Sequence, residues 1–317
     1  MTLLLKMKQQ RLGIFILLIS VLFFHNMPDQ GLVLPSFKDA SHTIVFALAT
    51  YLLLLILLPE KPSKIHVLGL CIFCFFIGLL IELIQPYFGR ERSIIDAYND
   101  LAGCSAAGFL YACRYVETLK HKRLLRIAAG TLLVSGFFFP ISNMLTLFQR
   151  NYSAPVLVNF DRAWESSLID AHSGAKVEIV AVPEQWPAIK NQATNKNHVA
   201  EITFLNNYKY PTLSVSNFYS DWSSYASLSF DVFSRQEEDL QLVIRIHDVS
   251  HQNRYDDRFN LQLNIQPGLN KFELPLRDVR LAPKDRNMQM DNISGMSFFM
   301  SNPNSPLIVY LDNLTLK

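Results

Sequence analysis

Apolar residues run in long unbroken blocks through the first half of the chain and alternate with polar ones in short blocks through the second, the change falling near Gln149-Arg150-Asn151. Apolar runs of about 20 residues suit helices that cross a hydrocarbon core. Five are expected, over residues 12–27, 42–58, 65–85, 97–115 and 127–148, the shorter ones completed by interfacial residues such as His25, Ser41 and Pro59. The first follows Lys6, Lys8 and Arg11, shows no small-x-small cleavage site after Phe24-His25-Asn26-Met27-Pro28 and precedes further spans, so it is expected to remain as an uncleaved helix. Pro140 is expected to kink the fifth.

Beyond residue 150, period-two alternation separated by Gly, Pro, Asn and Asp clusters predicts strands over 156–160, 177–180, 199–204, 227–232, 240–246, 259–263, 271–274 and 308–311. Gln266-Pro267-Gly268-Leu269-Asn270 reads as a turn. The expected fold is therefore a membrane α-helical bundle of five transmembrane helices plus an all-β antiparallel jelly-roll sandwich, with domains over residues 1–150 and 151–317.

Charge divides at the same place. The first 150 residues hold 14 Lys and Arg against 8 Asp and Glu, and the rest hold 15 against 19, so the overall +2 hides a basic half and a mildly acidic one. Neither half concentrates basic residues with interleaved aromatics, which argues against nucleic acid as a partner. With five spans and a cytoplasmic N-terminus, the inner segments carry 10 Lys and Arg and the outer ones 4. Positive charge favours the inside. The chain thus reads as a multi-pass protein of the inner (cytoplasmic) membrane with its second half extracytoplasmic. All four cysteines lie in apolar helical stretches, so no disulfide framework supports the second half. Cys71-x-x-Cys74 sits mid-span and reads as inert packing.

One stretch interrupts the apolar pattern: Glu82-Leu83-Ile84-Gln85-Pro86-Tyr87-Phe88-Gly89-Arg90-Glu91-Arg92-Ser93-Ile94-Ile95-Asp96-Ala97-Tyr98-Asn99-Asp100. Ionisable groups near a bilayer are costly and usually functional. Glu82 and Gln85 are three apart and Asp96 and Asp100 four apart, so each pair shares a helix face. Gly103-Cys104-Ser105-Ala106-Ala107-Gly108 allows close helix approach, which would bring these groups to Lys38-Asp39 and His42 at the outer ends of the spans. Lys38-Asp39, His42, Glu82, Gln85, Gly89-Arg90, Asp96, Gly103 and Gly108, in that order, resemble the VanZ-like membrane family. Where that pattern has Asn, this chain has Asp100, with Asn99 one residue earlier; either the register differs by a residue or a carboxylate replaces the amide. The resemblance implies a role at the cell envelope, including lowered susceptibility to glycopeptide antibiotics such as teicoplanin in some members.

As a site, Lys38 and Arg90 would hold an anionic lipid headgroup or a lipid-linked envelope precursor, with Asp39, His42, Glu82, Gln85, Asp96, Asn99 and Asp100 supplying hydrogen bonds or a proton path. The alternative is a helix-locking network, with Arg90 paired to Asp96 and His42 to Glu82. The scattered placement of one His and two carboxylates forms no recognisable metal cage, and no nucleophile stands out, so binding is expected rather than turnover. Two other readings remain: an enzyme acting on lipid-linked glycan or phospholipid, and a scaffold for another envelope protein.

The second half resembles galactose-binding-like jelly rolls, the fold of many carbohydrate-binding modules, on Asp221-Trp222-Ser223-Ser224-Tyr225-Ala226-Ser227-Leu228, on the Pro-Gly-Leu-Asn turn before Phe272-Glu273-Leu274-Pro275-Leu276, and on Tyr310-Leu311-Asp312-Asn313-Leu314. That resemblance implies a fold more than a ligand. Among Trp164, Trp186, Tyr208, Tyr210, Tyr219 and Trp222, Trp222 reads as core, and Trp186, in a Pro-flanked loop, as the candidate for stacking on a sugar. The polar loop 247–258 offers Asp248, Arg254 and Arg258 to glycan hydroxyls; otherwise Asp248 and Arg258 pin its ends. Jelly rolls of this kind often hold a structural calcium, for which Asp161 and Asp312 are candidate donors. No other cofactor is implied.

Overall fold

The computed structural model describes residues 10, 11, 13, 14, 33–88, 93–184, 186 and 198–317. The chain divides into two compact units, residues 1–145 and 146–317. The first contains α1 (Val33–Leu57), α2 (Lys64–Ile84), α3 (Ile94–Ala112) and α4 (Leu119–Ser135), followed by α5 (Phe138–Ser153), which runs into the second.

Two helices, α1 and α2, are long and apolar enough to cross a membrane, and a third span arises if α4 and α5, bent by 47°, count as one. Five spans are thus not what the described residues display. The expected first span, 12–27, lies largely outside them. Asp96, Asn99 and Asp100 in the first two turns of α3 make that helix too polar to qualify. The expected kink at Pro140 is displaced as well, since the break falls at Gly136-Phe137. Pro140 instead occupies the first turn of α5, where a helix has no partner for an N–H.

Polar as it is, α3 is the helix against which α1, α2 and α4 all pack. Small residues explain it. A Cβ on Gly103 would strike the backbone of α1 at Thr43 and Ala47, so only glycine permits this approach. Ser93 caps α3, its hydroxyl accepting the Asp96 N–H at 3.2 Å.

The second unit is a two-sheet antiparallel sandwich. Its strands are β1 (Val156–Val158), β2 (Ile169–His172), β3 (Ala175–Ala181), β4 (His198–Phe204), β5 (Thr212–Ser216), β6 (Ser227–Ser234), β7 (Leu240–Asp248), β8 (Phe259–Ile265), β9 (Gly268–Pro275), β10 (Ile293–Phe299) and β11 (Leu307–Leu316). One sheet runs β3-β4-β11-β6-β9 with β1 on β11, and the other runs β2-β5-β10-β7-β8. Alternation along β7 sends Leu242, Ile244 and Ile246 into the core beside Trp222, Phe230 and Phe298, and turns Gln241, Val243, Arg245 and His247 outward. The β8–β9 turn forms where expected; Gly268 takes φ +88°, and the Asn270 side chain bonds the Gln266 N–H at 2.9 Å and its carbonyl at 2.8 Å.

Three strands, β2, β5 and β10, were not expected from the alternation. Each mixes Ser, Thr, Asp or Gly into a short run, and they sit side by side in one sheet.

Asp248, at the end of β7, has a fully buried side chain that Arg286 holds at 2.8 Å while also reaching Asp257 at 2.6 Å. Burial alone would raise the Asp248 carboxyl, but the Arg286 guanidinium and the Gln289 N–H bring it below the ordinary carboxylate range. Because the folded value is depressed, this stabilisation is complete above the unfolded value of about 4 and fades as pH falls through the folded one. Replacing Arg286 by Ala strands a buried carboxylate, and urea unfolding at pH 7 is expected to show a loss of about 3 kcal/mol, at the low end for such pairs because Arg286 is 28% exposed. A loss below about 0.5 kcal/mol, the range of ordinary surface changes, would contradict the assignment.

Candidate functional site

In the helical unit the expected polar residues do come together. His42 on α1 is 1% exposed; its Nδ1 lies 3.0 Å from Asp100 Oδ1 and its Nε2 3.8 Å from Asp96 Oδ2. Glu82, at the end of α2, accepts the Ser93 N–H at 3.1 Å, which ties it to the start of α3. One ligand atom each from His42, Glu82 and Asp96 lie within 4.8 Å of one another, all three residues buried. Residues far apart in sequence thus form the kind of cluster that their scattered placement argued against. Asp39 adds another carboxyl beside Asp96.

Asn99 and Asp100 have two separate jobs. Asn99 donates to the Asp39 carbonyl at 2.8 Å, while Asp100 takes the His42 ring. Both are buried. Beside Glu82, which the sequence suggested as a partner of His42 and which lies close to it, Asp100, one α-helical turn beyond Asp96, reaches the imidazole at hydrogen-bond distance. Asp100 fits because its neighbour on α2 is Gly78, whose Cβ, were there one, would collide with the carboxylate. Gln85 is buried in the single 3-10 turn after α2, and Lys38 is half-buried on α1. Arg90 lies outside the described residues.

In the sandwich, the stacking role expected of Trp186 is corrected: the ring is 5% exposed and stacks on Phe233 at 5.4 Å, in a small cluster with Val199 and Tyr310. The ring is buried because Val199, Phe233 and Tyr310 offer it an apolar surface. Asp248 is taken up by Arg286 rather than pinning the loop with Arg258. Arg254 is exposed and pairs with Asp256 at 2.8 Å and Asp285 at 3.4 Å. Arg258 stays relevant, its guanidinium 5.5 Å from the Tyr255 ring centre.

Around Arg258 the structure gathers residues most of which the sequence did not single out. On the outer face of the five-stranded sheet, Ser214, Ser297, Arg245 and Asn260 are directly opposed across four strands, and His247 on β7 opposes Gly295 one row along. Arg245 lies 4.8 Å over the Phe299 ring, which Tyr210 meets edge-on at 6.0 Å. Five buried side-chain polar atoms in the sandwich have no hydrogen-bond partner among the described residues. Four are Arg245 Nε, His247 Nδ1, Arg258 Nε and Asn260 Oδ1, all in this patch. Burial, then the charges of His251, Arg245 and Arg258, hold the His247 imidazole down at about 4, so it is neutral at pH 7. Burial likewise lowers both guanidinium groups, Arg245 further through its proximity to Arg258. The outward positions of β7 carried the signal for this face; Ser297 and Gly295 carried almost none.

At another place in the sandwich, Asp231 and Asp312 are opposed between β6 and β11. Burial, and then the charges of Asp161, Asp231 and Glu165, push the Asp312 carboxyl up to about 8 against the pull of the Asn313 N–H. Hard carboxylate oxygens suit calcium. The expected donors Asp161 and Asp312 do share a neighbourhood, and Asp231 and Glu165 join them.

No family model matches the chain, and no curated protein matches it. Solved structures do. An exo-beta-agarase is 18% identical, with a TM-score of 0.41, over 51% of this chain and 24% of its own, so the chain spans about a quarter of that protein. A family 11 carbohydrate-binding module from Clostridium thermocellum, solved with a beta-1,3-1,4-mixed-linked tetrasaccharide, is 19% identical over 47% of this chain and 86% of its own, TM-score 0.34. A family 30 carbohydrate-binding module from the same organism is 12% identical over 47% and 91%, TM-score 0.32. The C-terminal sandwich resembles such modules in fold.

If calcium is the cation of the Asp312 cluster, millimolar Ca2+ is expected to raise the unfolding temperature of the wild-type protein at pH 8 and to leave Asp312→Asn nearly unmoved. Calorimetry showing equal shifts in both proteins, or none in the wild type, would remove calcium from the account.

Proposed function

We propose that the protein is a VanZ-like integral membrane protein of the bacterial envelope that holds an acidic glycan on the outer face of the five-stranded sheet of its sandwich. The observation that carries this is the set of four buried polar atoms left without partners on that face. An unsatisfied buried donor or acceptor costs about 1–3 kcal/mol. A ligand rich in hydroxyl and carboxylate oxygens recovers that cost on binding. Arg245 and Arg258 take part in no ion pair among the described residues, so a sugar carboxylate or sulfate suits them better than a neutral sugar. Tyr210 and Tyr255, 46% and 74% exposed at the margins of the patch, offer rings for a sugar face.

If the 12–27 run and the polar helix α3 both cross the membrane, the chain has five spans, and the excess of Lys and Arg on the inner segments then favours a cytoplasmic N-terminus and an extracytoplasmic sandwich, where such a glycan would be met. The helices then serve as anchor, and anchoring raises the effective concentration of the module at the membrane surface. A lipid-linked anionic component at the helical cluster is a weaker reading. The residues described around His42 are mostly carboxylates, and they repel an anion unless Lys38 or Arg90 outweighs them.

Two measurements test the reading. Isothermal titration of the purified full chain is expected to show acidic oligosaccharides binding at least ~10-fold more tightly than neutral ones, with Arg245→Ala removing most of the difference. Equal affinity for both classes, or no binding to either, would leave a protein-contacting scaffold as the better account. Separately, a phosphatase fused after Lys317 is expected to be active and one fused after Lys64 inactive; the reverse pattern would put the sandwich in the cytosol.

A further inference from the structure

The geometry points to a divalent transition-metal site, of zinc class, in the helical unit, with His42 Nε2, Glu82 and Asp96 as ligands and Asp100 as the group that orients the imidazole. It is independent of the glycan reading.

The ligand atoms of the three residues lie within 4.8 Å of one another, with His42 Nε2 and Asp96 Oδ2 at 3.8 Å, so a small contraction would bring them to the roughly 3.4 Å that separates donors around a tetrahedral zinc. They come from three helices, His42 from within α1, Glu82 from the last turn of α2 and Asp96 from the first turn of α3, so the site exists only in the folded bundle. In the tautomer that protonates Nδ1, His42 donates to Asp100 at 3.0 Å and its Nε2 lone pair faces Asp96 at 3.8 Å. A carboxylate behind a histidine in this way fixes the tautomer and raises the basicity of the ligand nitrogen. Glu82 is oriented in the same manner by the Ser93 N–H.

A second observation points to a ligand. Asp96 is 3% exposed, yet its Oδ1 has no hydrogen-bond partner among the described residues. Carboxylates this close and this buried repel one another unless a cation or protons intervene. One divalent ion offsets the charge of its two carboxylate ligands, leaving Asp100 to balance the positive charge that builds on the imidazole when His42 binds the ion. A nitrogen donor among oxygens disfavours calcium and magnesium and favours zinc or a neighbouring first-row metal. Three protein ligands leave one tetrahedral position for water or a ligand oxygen.

The test is metal content and affinity of the full-length protein in detergent micelles. Purified without chelator, the wild type is expected to carry about one zinc by elemental analysis, and after stripping to take up about one equivalent in competition with a chromophoric chelator. His42→Ala and Asp96→Asn should lose it. Asp100→Asn, which keeps every ligand, should weaken binding by about 10- to 100-fold. Asp312→Asn, in the sandwich, should retain it unchanged. A wild type that holds no zinc and takes up none overturns the proposal regardless of how the variants fold. So does uptake that His42→Ala and Asp96→Asn, eluting as monodisperse protein, leave intact; in that case the carboxylates share protons.

Discussion

A charge or polar atom removed from water must be answered by a partner, and both units of this protein are arranged around that requirement. In the sandwich, the buried Asp248 carboxylate is met by Arg286, which links the end of β7 to the segment before β10. In the helical unit, the buried imidazole of His42 is met by Asp100, and that contact joins α1 to α3. Apolar packing surrounds each pair, but apolar packing tolerates small slips. A hydrogen bond of 3.0 Å between two buried groups does not, so it sets the register in which the helices meet.

Glycines are what let the helical pair form. Gly103 brings α3 onto α1, and Gly78 leaves room for Asp100 against α2. Sequence spacing then does the rest: with Asp96 and Asp100 one turn apart on α3, both carboxylates reach the same imidazole from successive turns. Asn99, between them in sequence, faces elsewhere and fastens the Asp39 carbonyl. The polarity that keeps α3 from qualifying as a span is therefore the same polarity that makes it the hub of the unit.

Much of this was legible beforehand, because a carboxylate in an apolar run is conspicuous and helical periodicity says which groups share a face. The meeting of His42, Glu82 and Asp96 followed from that. Which carboxylate would lie nearest His42 did not, since that depends on how closely the helices approach and on the room that Gly78 leaves for Asp100. In the sandwich, strands with strong alternation such as β7 were legible, whereas β2, β5 and β10 were not. Their outward positions hold Ser, Thr, Asp and Gly, residues common in loops, and the pairing that makes them strands comes from neighbours distant in sequence. That is also why the patch around Arg245 stayed hidden: half of it lies on those strands. Trp186 misled for a related reason, since a Pro-flanked aromatic looks exposed until Phe233 is known to be beside it.

Where the requirement for partners is left unmet, the unmet atoms have opposite character in the two units. In the helices two buried atoms lack a partner among the described residues, the Thr43 hydroxyl and a carboxylate oxygen, Asp96 Oδ1, and the only charged one stands in a neighbourhood of carboxylates. On the sheet, three of the four orphans are nitrogens of Arg245, His247 and Arg258, in a neighbourhood of guanidinium groups. An acceptor short of a donor attracts a cation; donors short of acceptors attract an anion or a ring of hydroxyls. One ligand cannot satisfy both. The two clusters therefore argue for two ligands of opposite sign, and an anion can approach the helical cluster only where positive charge, from a bound cation or from Lys38 or Arg90, offsets the carboxylates.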